Sequence, residues 1–421
     1  MYQIPQTPAI QFFVVLLLCL MPLAARAQEP PDPSEHQPQV SPPPTTGNWT
    51  WTSDANIFVG YNYQSRLFAD ASAWESQNWF MLAGERALGP GTLTLHGMLS
   101  LEPLTVGRLT FVGGTRFSTG GSPQLFQTGE SYQNQPLVNY QHPHDLLMGL
   151  GATYRIQQPR VAYVLGADLV GSPPLGPTPF MHRESARDNP QVPLTHHDVD
   201  STHISAGVLH AGIESGPMTL EAAVFRGAEP DENHFNIEKP GLDSWSARAG
   251  WHRGSWQAQF SGGRLHEPEW FEPYDQTRLT ASVGFNGAVA SRPLTATLAW
   301  GHHREDNGFN DHADGYLLEW DLRATGSTTL YGRTEVSRKQ IFGLGLHPAG
   351  FNHPHFYSHI RAITLGAIRD IAPARWGRLG VGADLTVYGM SPDMINYFDG
   401  SRSFHVFLRW RPVAAPMGHV H

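Results

Sequence analysis

Between residues 49 and 410, apolar and polar positions alternate in short runs, the two-residue period of strands with one face in an apolar medium and the other in water. Leu93, Leu95, Leu99 and Leu101 share one parity. The same holds for Val161, Tyr163, Leu165 and Leu169; for Trp245, Ala247, Ala249 and Trp251; for Leu379, Val381, Leu385 and Val387; and for Phe404, Val406, Leu408 and Trp410. The opposite parity is read as carrying Arg248, Glu319, Asp321, Arg323, Arg333, Glu335, Arg361, Asp384 and Arg409. A charge on a lipid-facing strand surface near the bilayer midplane costs roughly 2–4 kcal/mol, so this set is expected to line a wet interior. Within residues 180–213 a loop crowded with His, Arg and Asp runs into a further strand. There Ile204, Ala206 and Val208 are expected to meet the apolar medium, and His203, Ser205 and Gly207 the water.

About sixteen such segments can be drawn (14 to 18 at the limits), the first centred on residues 56–66 and the last on 402–411, each near the length a tilted membrane strand requires. Tight turns near residues 88–90, 157–159, 215–217, 254, 291–293, 325–326 and 372–373 alternate with longer connections. The longest of these are 102–144 and 171–200. That alternation predicts an all-β protein, a transmembrane up-and-down antiparallel β-barrel with tight turns at one end and long loops at the other. An even strand number places both termini on the periplasmic side.

The ends of the chain sharpen this picture. Residues 12–20 form an apolar run too short to span a bilayer as a helix, followed by Ala25-Arg26-Ala27, so residues 1–27 read as a secretory signal peptide. Residues 28–48 are Pro-rich and read as a periplasmic linker, 49–411 as the barrel, and 412–421 as a His- and Met-containing tail. The single cysteine, Cys19, lies inside the signal, so the mature chain has no disulfide and needs a large core, a closed hydrogen-bonded sheet, or both. No other stretch approaches the roughly 20 apolar residues of a spanning helix. The formal charge of -9 and the absence of basic runs give no reason to expect nucleic acid as a partner.

The final strand, Ser403 to Trp410 (SFHVFLRW), resembles the closing strand of outer-membrane β-barrels, with an 11-residue tail added after Trp410. The segments NYQHPHDLLMGLGATY, PTPFMHRESARDNPQVPLTHHDVDSTHISAGV and EPDENHFNIEKPGLDSWSAR look like a group of uncharacterised, porin-like Gram-negative outer-membrane proteins, over roughly residues 139–278. That resemblance implies a location in the bacterial outer membrane and a barrel fold, with outer-membrane lipids and the barrel assembly machinery as partners. It implies no activity. A homotrimer of the porin kind is a further expectation.

Candidate chemistry concentrates in the long connections. Of the 22 histidines, most fall in or beside them, accompanied by aspartates. Imidazole with carboxylate is a ligand set for Zn or Cu, and His142, His144, Asp145, His182, His196, His197, Asp198, His203, His353 and His355 are the candidate ligands if the loops converge over the lumen. No cofactor is required by any motif, and HPHD and HPH have none of the specificity of a zinc-finger spacing. Histidines at a loop-covered rim equally serve as hydrogen-bonded structural groups. The tail Met417, His419 and His421 offers thioether and imidazole to copper.

Three functions compete at this stage. The foremost is a porin-like channel for small hydrophilic solutes or ions, with charges across the lumen filtering what passes and Arg116, Arg183, Glu184, Arg187 and Asp188 available for an inward-folded constriction. The second is a transition-metal binding or resistance factor. The third is a rim hydrolase built on Asp200, Ser201 and His203, although Ser201 and His203 at i and i+2 along an extended chain would stand roughly 7 Å apart. The chain is therefore expected not to be an enzyme.

Overall fold

The computed structural model describes residues 47–421 except 66–69, 107–108, 112–115, 118–120, 128–129, 133–134, 138–139, 142, 270–272, 310, 341–356, 373–376, 392–400, 413–415 and 418–421. The signal and nearly all of the Pro-rich linker lie outside the described residues, as do candidate ligands His142, His353 and His355.

The alternating segments form sixteen wall strands. These are β1 (Thr50–Gln64), β2 (Ala71–Glu75 continued by Asn78–Leu88), β3 (Gly91–Leu99), β4 (Leu147–Gln157), β5 (Ala162–Gly171), β6 (Ser205–Ser215), β7 (Met218–Phe225) and β8 (Ser244–Arg253). They continue with β9 (Trp256–Leu265), β10 (Gln276–Val289), β11 (Arg292–Glu305), β12 (His312–Arg323), β13 (Thr328–Gln340), β14 (Tyr357–Asp370), β15 (Arg378–Met390) and β16 (Arg402–Arg411). Each strand pairs antiparallel with its sequence neighbours, and β16 returns to pair with β1 from Ile57 opposite Trp410 to Gln64 opposite Ser403. The sheet therefore has no free edge, and every wall strand has a ladder on both sides. Beyond β16, Pro416–Met417 pairs with Trp51 and Thr52, so part of the tail is bound to the first strand. β1 begins several residues earlier than the alternation suggests, because its opening, Thr50 to Asn56, is too polar to reveal a strand.

One face of the wall is apolar and exposed. Leu165 is 59% exposed, Leu298 57%, Trp245 54% and Leu365 54%, and Val381, Leu385, Val406, Leu408 and Trp410 belong to the same belt. A continuous exposed apolar surface of this kind is foreign to a protein surrounded by water and suits lipid hydrocarbon. The inner face carries Arg248, Glu319, Asp321, Arg323, Arg333, Glu335, Asp384 and Arg409, as the parity requires.

Two sequence expectations about facing need correction. Arg361 is exposed and shares its parity with Ile363 and Leu365, so it stands on the outer surface. It lies opposite Gly389, within two residues of the long-loop end of β15, where a long basic side chain can reach beyond the hydrocarbon. On β6 the outward residues are Leu209, Ala211 and Ile213. Val208 faces inward and is fully buried with Leu175, Ala223, Phe225 and Leu265. The lumen at that level holds the side of a packed loop, so an apolar inward side chain has something other than water to meet.

Candidate functional site

The connection between β5 and β6, residues 172–204, runs through the barrel interior. Its composition explains how it can do so without regular structure. Pro173, Pro174, Pro177, Pro179, Pro190 and Pro193 restrict the backbone, and successive turns use up its hydrogen-bonding groups locally. The Arg183 amide donates to the Pro179 carbonyl, Ala186 to Arg183, Asn189 to Ala186 and His196 to Pro193. Others meet the wall, as the Gly176 amide and the Arg187 and Gln191 carbonyls do, and most of the segment is buried.

The contacts map its course. Gly176 donates its amide to Ser261 Oγ at 2.8 Å and accepts from Arg248 Nη1 at 3.1 Å, fixing the entry on β9 and β8. Ser185 Oγ meets Thr297 Oγ1 at 2.6 Å on β11, and Asn56 of β1 donates to the Arg187 carbonyl at 2.9 Å. At the far point Asp188 pairs with Arg409, which also pairs with Asp370 beside the short-turn end of β14. The chain then climbs the inner face of β13. The Gln191 carbonyl accepts from Arg333 at 2.7 Å, the Thr195 amide and hydroxyl donate to Glu335 at 3.0 and 3.1 Å, and Asp198 accepts from Ser337 at 2.8 Å. The loop therefore descends from the long-loop end toward the short-turn end and returns. Gln124 of the β3–β4 connection donates to the Val192 carbonyl at 2.7 Å, so that longer connection braces it. The side chain of Arg116 lies outside the described residues.

Charge neutralisation makes this burial tolerable. Arg183 pairs with Glu319 and, at 2.6 Å, with Asp200, while Arg333 reaches Glu319 at 3.2 Å. All of these side chains are at most 3% exposed. Burial alone would raise the Asp200 carboxyl, but Arg183 and His196 hold it well below the usual carboxylate range. Asp188 is likewise held low by Arg409 and its neighbouring arginines against the effect of burial. Arg187 moves the other way, brought down to about 9 by burial and by Arg411.

The wall makes room for the returning limb. Gly301 of β11 lies opposite Gly315 of β12, and Asp198 sits in the notch they form. A Cβ on Gly301 would lie 1.9 Å from the Asp198 carbonyl oxygen, and one on Gly315 2.5 Å from its carboxylate.

The described candidate ligands all reach the long-loop end, but they do not form one cluster. His144 Nδ1 is 2.7 Å from Glu102, Asp145 is 2.8 Å from His234 Nδ1, and His182 Nε2 is 3.3 Å from Met98 Sδ. Burial, with the His144 charge beside it, pushes His182 down to about 4. His196 Nδ1 is 2.7 Å from Asp200, and its ring centroid is 5.0 Å from that of His203, whose Nδ1 faces the Asp200 carbonyl at 3.1 Å. His197 turns the opposite way, with Nδ1 3.2 Å from Glu269 and 3.8 Å from Glu229. Asp198 takes His303 at 3.3 Å. Ser201 Oγ accepts from Arg278, the His203 ring faces the Asp200 carbonyl, and the His203 amide donates to the Ser201 carbonyl at 2.8 Å.

Glu229 and Glu269 were missed by sequence reasoning. Each sits beside a proline in an acidic, polar connection (Glu229-Pro230 and Pro268-Glu269), a context that reads as solvated loop. The shared Glu-Pro and Pro-Glu pairing was the only available signal. The structure ties the two loops together through the Glu229 amide, which donates to the Pro268 carbonyl at 3.0 Å.

No family model and no curated protein sequence matches this chain. Among solved structures it is similar to Salmonella typhi OmpF, determined in complex with daunomycin, with 11% identity, a TM-score of 0.51, and coverage of 86% of this chain and 97% of that one. It is also similar to the anion-selective porin from Comamonas acidovorans (12% identity, TM-score 0.47, 86% and 99% covered) and to OccAB2 of Acinetobacter baumannii (10% identity, TM-score 0.42, 86% and 98% covered). The fold is that of a porin-like outer-membrane β-barrel.

Proposed function

We propose that this protein is a bacterial outer-membrane channel for small hydrophilic solutes or ions, narrowed by its own β5–β6 loop. The observation that carries the reading is the residue 172–204 loop itself, anchored by ion pairs and hydrogen bonds to a polar inner wall. A sixteen-stranded barrel is wide enough to hold an aqueous channel, so filling it sets what passes. The loop leaves a small cavity on the β1–β2 side, where Asn78, Glu102 and His144 stand among Phe58, Trp79 and Phe180. The paired charges of Arg183, Glu319 and Arg333 supply fixed dipoles on the opposite side of the loop.

Osmotic swelling of liposomes carrying the refolded protein tests this reading. Entry of ions and of the smallest sugars, falling steeply with solute size, is expected; liposomes that resist every solute despite correctly inserted protein would refute it.

A second reading, an outer-membrane transition-metal binding or resistance factor, is favoured by one observation, the approach of His197, Glu229 and Glu269. A rim hydrolase at Asp200, Ser201 and His203 gains no such support, because Asp200 is committed to Arg183 and His196 and Ser201 to Arg278.

A further inference from the structure

We infer that His197, Glu229 and Glu269 form a binding site for one divalent first-row transition metal, with Zn(II) the ion of choice for testing it. The three side chains come from three separate connections: β5–β6, β7–β8 and β9–β10. Their ligand atoms lie within 4.8 Å of one another. His197 Nδ1 stands 3.2 Å from Glu269 Oε1 and 3.8 Å from Glu229 Oε1. Atoms bound tetrahedrally at about 2.1 Å from zinc are separated by roughly 3.4 Å, so these distances already bracket those of a loaded site.

The charge of the group suits a cation. Two carboxylates held together with little solvent repel each other, and a cation between them relieves that repulsion. Arg278 stands nearby, its Nη2 3.8 Å from Glu269 and 4.0 Å from Glu229, beyond hydrogen-bond reach. Its own hydrogen bonds go to Gln276 and Ser201. Glu269 is 6% exposed, and its Oε2 is buried with no hydrogen-bond partner among the described residues. A metal bound by these carboxylates supplies the missing partner.

One imidazole nitrogen and two carboxylate oxygens make a borderline-hard set, suited to Zn(II) and to its Fe(II), Mn(II) and Co(II) neighbours. Three protein ligands leave a position for water. The site sits at the long-loop end, and His197 adjoins Asp198, the residue seated in the Gly301–Gly315 notch, so a bound ion would clamp the returning limb of the loop to its neighbours. The inference does not depend on the channel reading, because it is read as binding by folded protein in detergent.

The experiment is metal analysis and titration calorimetry on the refolded, chelator-stripped full chain carrying His419→Ala and His421→Ala to silence the tail histidines, with Zn(II) as the titrant. One saturable Zn(II) per chain in the micromolar range or tighter is expected. His197→Ala and Glu269→Gln should each weaken it at least about tenfold while the barrel remains folded. X-ray absorption of the zinc-loaded wild-type protein should show a shell with a single imidazole and oxygen ligands, a readout that stands even if a variant fails to fold. No saturable binding by folded protein, binding unchanged in both variants, or a shell with several imidazoles would each overturn the assignment.

Discussion

Arg409, near the end of the last wall strand, is ion-paired with Asp188, 221 residues earlier in the chain and at the deepest point of the inserted loop, with both side chains fully buried. The contact fastens the loop close to the short-turn end of the barrel, the end opposite the one from which it enters. Removing one member of a buried pair strands the other charge, at a cost of about 3–5 kcal/mol. Arg409→Met should therefore lower the thermal unfolding temperature in detergent and increase proteolysis within residues 180–195. Unchanged values of both would show that the pair does not hold the loop.

The notch of Gly301 and Gly315 admits the returning limb only because neither has a side chain. Gly301→Val places carbon atoms where the Asp198 carbonyl now lies. The wall pairing of β11 should survive, since the substitution suits a strand. Loss of the Asp198–Ser337 contact should follow, read as faster hydrogen exchange across residues 195–200 with unchanged exchange in β11 and β12.

Acid should act on the loop late. Burial opposes ionisation of Asp200, but Arg183 and His196 hold its folded pKa below the unfolded value. Such a group contributes stability above its unfolded pKa of about 4, and this is lost as the pH falls through the folded value. Thermal unfolding temperatures measured from pH 7 to pH 2 should carry a drop below about pH 4 that Asp200→Asn diminishes. An acid limb identical in the variant would remove Asp200 from the account.

Arg361 and Glu319 separate the two faces of the wall. Arg361→Ala changes an outward side chain near the long-loop rim and should leave ion selectivity, measured as reversal potential across a salt gradient, as it was. Glu319→Gln takes away the carboxylate that Arg183 and Arg333 share and should shift selectivity toward anions. The opposite pairing of outcomes would mean that the lumen is assigned to the wrong parity.

Much of the barrel could be read from the sequence because the rule that builds it is local. A strand between lipid and a polar interior must alternate, and the alternation of tight turns with long connections fixes the up-and-down order. The rule fails where the environment is not what it assumes. Val208 is apolar and faces inward because Leu175 of the inserted loop meets it there, and Arg361 sits outside because a rim position relieves the cost of its charge. The length and charge of residues 171–200 point to an inward loop, but its course is set by partners such as Glu335 and Arg409, far away in sequence. His197 is visible as one of many loop histidines, whereas Glu229 and Glu269 become neighbours only when two remote connections are joined through Pro268.

The central claim, a channel narrowed by its own loop, is tested most directly by single-channel conductance in planar bilayers. The wild-type protein is compared with a variant in which residues 177–200 are replaced by a short Gly-Ser linker. Small stepwise conductance in the wild type and steps several-fold larger in the variant are predicted. Equal conductance in the two, or silence in both when the barrels are correctly inserted, would contradict it.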